Sequence, residues 1–589
     1  MKNIFIKTAM AGILCIGFAS CADELNIKSI DPKSSPTYTV EGLLAKQYAT
    51  LGLTGQKGPA GSADLSGDEG ESGFVRTVFN LQELMTDDCL WAWQDNEAIA
   101  PITHMNWNKD NARVNWAYQR LIFDITLYNQ FIAEQTGKLS DDQIAEVRFL
   151  RALNYYYFLD LYRKAPFKDT FDDSLPVEKS GKDLYEWIDQ ELTTIEPMMA
   201  DVGAYNTSEN FGRADRGAAY ALHARLALNS SVYTDGQVKD YQKAIDYCDK
   251  IIDSNKYDLC REAKNGYSGY QQLFMGDNDK NTAAMKEIIF PIRQDGLKTR
   301  QYGGSTYLVA ACTKAGMPSA STSDPWKCIF AREDLVKMFF PNKDIPMATD
   351  KDNTWTVTDK DGNVVKDDKG EPKTEGADKR TKEEIVARDN EKGISTADVI
   401  KKAKDDRALL YMGVGGCETG KVRTLNPGDA ITSPLNGAAI VKWSNFHADG
   451  SSQNDPNYSD TDIPLFRLAE IYLTRAEAKF RLGDVNKVGN DGKKALDDIQ
   501  YVQNRANRGV LATSVDNQTL IDEWGREFFM EGRRRSDLVR FGLFTGSKYL
   551  WNFKGGVPNG SGIESYYDVY PIPGNEVLNN SNLTQNPKY

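Results

Sequence analysis

Apolar positions recur at helical spacing through much of the chain. Within 464–482, Leu465, Leu468, Ala469, Tyr472, Leu473, Ala476 and Phe480 make the i, i+3, i+4, i+7 stripe of a helix packed on one side. Residues 149–159 read FLRALNYYYFL and are apolar nearly all round, which places that helix between neighbours rather than at a surface. Ala218, Ala219, Ala221, Ala224 and Ala227 carry little side-chain bulk and let another helix approach closely. The same reading predicts helices over 116–134, 141–161, 183–199, 216–229, 241–253, 464–482, 493–507 and 520–541, most of them neighbours joined by short polar turns.

Between 257 and 462 the pattern changes to glycine-rich, irregular sequence with short strand-like runs such as 287–292. Residues 341–406 are densely charged, and 355–358 followed by 361–365 reads as a solvent-facing β-hairpin inside an insertion. The expected fold is mainly α. Stacked helix pairs resembling tetratricopeptide repeats form a scaffold over about 110–256 and 463–545, a loop-rich lobe spans about 257–462, and an extended segment closes the chain at 546–589.

The start of the chain reads as an export signal over 1–20: Lys2 and Lys7 are basic, 4–18 is apolar but too short to span a bilayer, and Ala19-Ser20 precede Cys21. Small residues directly before a cysteine resemble a lipoprotein cleavage site, so Cys21 is the expected lipidated first residue and 21–39, with Asp31-Pro32 and Ser35-Pro36, the tether to a folded body at 40–589. Removing two lysines and no acids takes the formal charge from −13 to −15, which argues against nucleic acid or an anionic surface as partner. Of eight cysteines, Cys15 leaves with the leader and Cys21 is acylated; the remaining six show no CxxC spacing, and their pairing is not readable.

Few residues offer chemistry. Gly415 to Lys421 fits GxxxxGK, but Val422 stands where a P-loop needs Ser or Thr, and 423–428 is a turn rather than a helix. Asp359, Asp361 and Asn363 begin like a calcium loop, yet Val364 and Gly370 occupy the positions that need Gly and Glu. Only His104, His223 and His447 are present, without HExxH or GxSxG, and no catalytic residue, metal or cofactor is called for. A glycosidase needs only two carboxylates, and 84 acids leave that alternative open. Glu527, Glu531, Arg533, Arg534, Arg535, Asp537 and Arg540 crowd one segment with interleaved signs, which favours ion pairs, Glu531–Arg535 among them, over an anion site. Arg148, Arg151 and Asp160 read the same way, and His223 reads as a packed residue.

Aromatics in polar surroundings are the better binding candidates. Trp91 and Trp93 alternate in DDCLWAWQDN, and a sugar ring, with its apolar C–H face and hydroxyl rim, wants a flat exposed aromatic beside amide or carboxylate groups. Asp95 and Asn96 would hold hydroxyls, while Tyr302, Tyr307 and Trp326 would complete the platform.

Three segments, 463–478 (IPLFRLAEIYLTRAEA), 526–542 (REFFMEGRRRSDLVRFG) and the closing YPIPGNE of 570–576 with QNP at 585–587, resemble the SusD/RagB family of outer-membrane lipoproteins. The resemblance extends to the helix of 146–162, the alanine-rich 213–228 and Cys21. It implies a tetratricopeptide-like scaffold and a lipid-anchored, cell-surface protein of the outer membrane. Such a protein captures an oligosaccharide and delivers it to a TonB-dependent, SusC-like transporter without covalent chemistry. By region, the resemblance points to Trp91, Trp93, Asn96, Tyr307 and Trp326 as ligand contacts. A peptide ligand, or a lid that binds no ligand, stays open.

Overall fold

The computed structural model describes residues 39–589 except 56–62, 66–69, 95–97, 343, 426–430, 434 and 436. Gln47–Tyr589 is one compact unit. The signal, the tether before Thr39, Cys21, Asp95 and Asn96 lie outside the described residues.

Helices carry most of the regular structure, and their ends follow local capping chemistry. Asn111 opens Ala112–Gln135 by accepting from the N–H of Arg113 and Val114, and Asp215 opens Arg216–Leu228 by accepting from Gly217 N–H at 2.8 Å. Asp141–Tyr162 ends at Arg163 in a left-handed conformation (φ 59°). That helix is buried from Tyr155 through Tyr162 on every face, as its unbroken apolar run predicts. It packs between Ala112–Gln135 and Gly181–Ile195. Arg216–Leu228, Tyr241–Asp253, Leu468–Arg481 and Ala495–Arg505 continue the side-by-side packing, with Ala218, Ala221 and Ala224 admitting close contact. Among the described residues no helix is long and apolar enough to cross a membrane.

Two sequence expectations need correction. The predicted helix of 464–482 begins only at Leu468, because Ile463–Arg467 is a strand paired antiparallel with Ile288–Ile292. Pro464 faces Pro291 in that ladder, so neither position has a backbone donor to lose. The predicted helix of 520–541 is two, Asn517–Phe528 and Arg534–Arg540, separated where Met530 (φ 61°) and Gly532 (φ 71°) turn left-handed. Glu531 therefore leaves the helical register and pairs with Lys442 and Arg467, each at 2.6–2.7 Å, while Arg535 turns to Asp160 at 3.5 Å.

Helices at Phe74–Glu83, Ser305–Cys312, Glu333–Phe339, Lys382–Lys392 and Thr396–Ala403 were not among the predicted ones. In the charged insertion, Thr358 bridges Val364, and the run continues into Thr374–Glu375 paired with Trp355–Thr356. The Asp359 carboxylate accepts from the N–H groups of Asp361 and Asn363, both at 2.9 Å, which is a turn closure rather than a cation loop. Gly415–Lys421 folds as turns with Cys417 buried, and 422–425 after it are irregular, the remainder of the predicted turn at 426–428 lying outside the described residues. His223 is packed inside its helix, bonded to Glu196 at 2.5 Å and stacked on Tyr247 at 4.1 Å. The six described cysteines are free and buried.

The elements are joined by buried charge. Glu527 accepts from Arg407 at 2.9 Å and Arg467 at 2.5 Å, and it also pairs with Arg505, all of them fully buried. Arg225–Glu470, Arg540–Glu477 and Arg475–Asp498 repeat the motif at 2.6, 2.7 and 2.5 Å. Arg148 and Arg151 share Glu191 at 2.6 and 2.8 Å. Burial opposes ionisation of Glu523, but Arg407 and Arg526 outweigh it and hold the carboxyl down to about 2. Glu527 is held below the ordinary range in the same way: burial works against its charge, and Arg505, Arg467 and Arg407 overcome it.

Breaking such a site strands the remaining cations, so Glu527→Gln is expected to destabilise the fold by about 3–5 kcal/mol in urea unfolding. A depressed carboxylate supplies stability above its unfolded pKa and loses it as the pH falls through the folded one. For Glu523 that window runs from 4.5 down to about 2. The melting temperature should drop across it, and Glu523→Gln, starting lower, should drop less. Parallel curves for the two proteins would contradict this assignment.

Candidate aromatic binding surface

Cys89–Trp91 pairs antiparallel with Ile329–Ala331, setting Cys89 opposite Ala331 and Trp91 opposite Ile329. Ala92 N–H extends the ladder to Cys328 O at 2.7 Å. This pairing brings the early polar segment beside the chain that carries Tyr302, Tyr307 and Trp326. Tyr307 lies on Ser305–Cys312, and Trp326 is tied to the same helix through its N–H to Ala310 O at 2.8 Å.

The rings form a continuous arc. Trp93 meets Trp91 edge-on at 5.5 Å, Trp91 lies 6.3 Å from Tyr307, and Tyr307 lies 6.0 Å from Trp326. Trp326 is 5.3 Å from Tyr302, which is 5.3 Å from Tyr458. Exposure divides these rings by role. Trp93 is 41% exposed, and Trp326, Tyr302 and Tyr458 are partly exposed. Trp91 is 1% and Tyr307 0% exposed, so the expectation that these two rings contact ligand is corrected: neither has a face open to one. They are the base on which the open rings stand, with Tyr307 anchored by its O–H to Asn80 Oδ1 at 2.7 Å and by Phe79 edge-on at 5.8 Å.

Arg76 completes the support, and sequence reading passed over it. It comes from the wholly buried helix Phe74–Glu83, with its guanidinium carbon 4.5 Å from the Tyr307 ring and 5.3 Å from the Trp326 ring. Nη1 donates to Tyr302 O at 3.3 Å, so one cation touches three members of the arc. Burial lowers its pKa from the usual arginine value, and Tyr307 and Glu71 pull in the opposite direction. Burial likewise pushes the Tyr307 phenol well above its ordinary range. Next to Tyr302, a Cβ on Gly303 would lie 2.6 Å from Gln301 Oε1 and 2.7 Å from Gly70 O, so only glycine lets these backbones approach.

Polar groups line the far end. Asn457 Nδ2 donates to the Tyr302 hydroxyl at 2.8 Å, Trp326 Nε1 donates to Asp324 at 3.2 Å, and the Arg300 guanidinium is 5.1 Å from the Tyr458 ring. Among the described residues no group of three or more His, Cys, Asp and Glu side chains is placed to hold a metal ion. The surface offers flat apolar faces edged by hydroxyl, amide and carboxylate groups. It is suited to holding a ring that is apolar on its faces and polar at its rim.

Residues 286–589 match the SusD family model. The chain is 49% identical over its full length to the starch-binding protein SusD of Bacteroides thetaiotaomicron, all of which is covered. It is 22% identical to the SusD-like protein P25 of Formosa agariphila, over 83% of this chain and 82% of that one. Surface glycan-binding protein A of B. thetaiotaomicron, solved in complex with laminarihexaose, shares the fold at TM-score 0.59 and 17% identity, over 93% of this chain and 98% of that one. A SusD superfamily protein of the same species does so at TM-score 0.63 and 16% identity, over 94% and 100%. Helix-rich scaffold, sequence match and full-length relative agree, and the chain belongs to the SusD family.

Proposed function

We propose that the arc of Trp93, Trp326 and Tyr302 captures a neutral glucan chain, with starch-type α-glucan as the leading ligand. The observation that carries this reading is the division of the arc into open rings and a buried base, which presents aromatic faces already fixed in place. A fixed platform spares the ordering cost that flexible side chains would impose on binding. The formal charge of −13 disfavours polyanionic glycans. The choice of α-glucan rests on the relative named as starch-binding, at 49% identity. Asp95 and Asn96, two and three residues beyond Trp93, are proposed to bond sugar hydroxyls. Binding requires no bond to be made or broken, and this reading contains no catalytic step.

The same reading includes a lipid on Cys21, a place on the outer face of the outer membrane, and handover of the glycan to a SusC-like, TonB-dependent transporter. The basic leader, the short apolar run and the small residues before Cys21 support the anchor, and membership of the SusD family supports the partner. Co-purification of the native chain with a large outer-membrane receptor, and an acylated Cys21 by mass spectrometry, are the expected results.

Calorimetry with maltoheptaose and soluble starch tests the ligand. Trp93→Ala and Trp326→Ala should each weaken binding by about tenfold or more, which is about 1.4 kcal/mol, with little change in melting temperature. Trp91→Ala should instead cost about 3–5 kcal/mol of stability, because it empties a buried site. Unchanged affinity in both exposed-ring variants would remove the arc as the binding surface.

A further inference from the structure

A second site lies within the irregular lobe. A cavity of about 220 Å³ is lined by Tyr267, Gln271, Ser319, Lys442, Ser444 and Phe446 among others. Drug-sized ligands occupy roughly 300–1,000 Å³, so this space matches something smaller. Its walls combine two aromatic rings with hydroxyl and amide groups, and its one buried cation is already engaged. Lys442 Nζ donates to Phe529 O at 2.7 Å and to Glu531 at 2.6 Å, leaving only its aliphatic stem to the cavity. Burial lowers its pKa to about 8, with Glu531 opposing.

Polar capacity is left over in the wall. The Ser319 hydroxyl is buried and has no hydrogen-bond partner among the described residues. Leaving such a group unpaired carries a desolvation cost, which an incoming hydroxyl recovers. Gln271 spends its carbonyl oxygen on Ser268 N–H at 3.0 Å, and no described residue accepts from its Nε2. Ser444 Oγ accepts from Phe446 N–H at 3.1 Å and can still donate. Apart from Lys442, whose charge is spent on Glu531, and Lys382, whose Nζ stands 4.9 Å from the Phe446 ring centre, the wall is uncharged, and it favours a small molecule that is apolar on its faces and hydroxylated at its edge.

We infer that this cavity is a second carbohydrate site that takes a single neutral hexose unit, free or at the end of a chain. It is separate from the aromatic arc, although one loop serves both: Pro318 and Ser319 line the cavity, and Trp326 follows on the same segment. Ser321 Oγ, between them, accepts from Asn445 N–H at 2.8 Å. The site stands whether or not the arc binds a long glucan.

Saturation-transfer NMR on the full chain with glucose, methyl α-glucoside and maltose at about 10 mM reads such weak binding directly. Signal is expected for the native protein and for Trp93→Ala, and its loss when Ser319→Leu, which fills the cavity, or Phe446→Ala is combined with Trp93→Ala. Maltoheptaose affinity should stay within about twofold in Ser319→Leu. Should Phe446→Ala fail to fold, Ser319→Leu carries the test. Signal from glucose would identify a site for free sugar, and signal from maltose alone a site for chain ends; both support the inference. Signal that persists in Ser319→Leu but vanishes in Trp93→Ala would place the hexose on the arc and overturn it, as would no signal from any of the three sugars. Failure of maltoheptaose to bind, with the cavity signal intact, would instead remove only the arc reading.

Discussion

Burial of a carboxylate among three arginines is the constraint on which this fold turns. Glu527 closes the helix Asn517–Phe528 and holds Arg467 from the strand–helix junction, Arg505 from the helix before it and Arg407 from the irregular lobe. None of these groups can be exchanged for water without exposing or stranding a charge, so the three elements have one arrangement in which all are satisfied. The break after Phe528 follows from the same demand. Phe529 O and Glu531 serve Lys442, and Tyr270 O–H donates to Glu527 O at 2.6 Å, which draws the chain out of helical register and toward the lobe. A lobe with little regular structure is thereby fastened to a helical body by charge as well as by the short ladder between Ile288–Ile292 and Ile463–Arg467.

That fastening reaches the aromatic arc through few links. Arg534 pairs with Asp87 at 2.7 Å, and Tyr549 bonds the same carboxylate at 2.7 Å. Asp87 lies just before the strand Cys89–Trp91, whose carbonyl at Cys89 accepts from Arg332 Nε at 2.9 Å. Trp91 is held from both sides, and Trp93, two residues on, takes its position from it. Arg76 plays the corresponding part beneath Tyr307 and Trp326. Rigid charge behind and open rings in front belong together: the proposed binding surface is ordered during folding, before any ligand would arrive.

What could be read in advance followed local pattern. The wholly apolar helix ending at Tyr162 and the alanine-rich helix after Asp215 were visible because burial on every face leaves no polar stripe, and small side chains mark close packing. The break at Phe529–Arg533 was hidden because Met530 adopts a positive φ only through tertiary bonds that no neighbour in sequence reveals. Phe74–Glu83 escaped notice although it is entirely buried, because Arg76, Asn80, Gln82 and Glu83 look like a solvent face until their partners are known. Trp91 and Trp93 share a strand-like alternation, yet one is covered and the other open; the strand Ile329–Ala331, more than two hundred residues away, decides which. The aromatic composition of the candidate surface was legible, and its division into buried base and open rings was not.

A crystal structure of the chain with maltoheptaose bears most directly on whether a charge-locked scaffold presents a pre-set glycan platform. The account predicts sugar rings stacked on Trp93 and Trp326, with Trp91, Tyr307 and Arg76 unmoved from their ligand-free positions. Sugar bound only elsewhere, or an arc that rebuilds itself around the ligand, would contradict it.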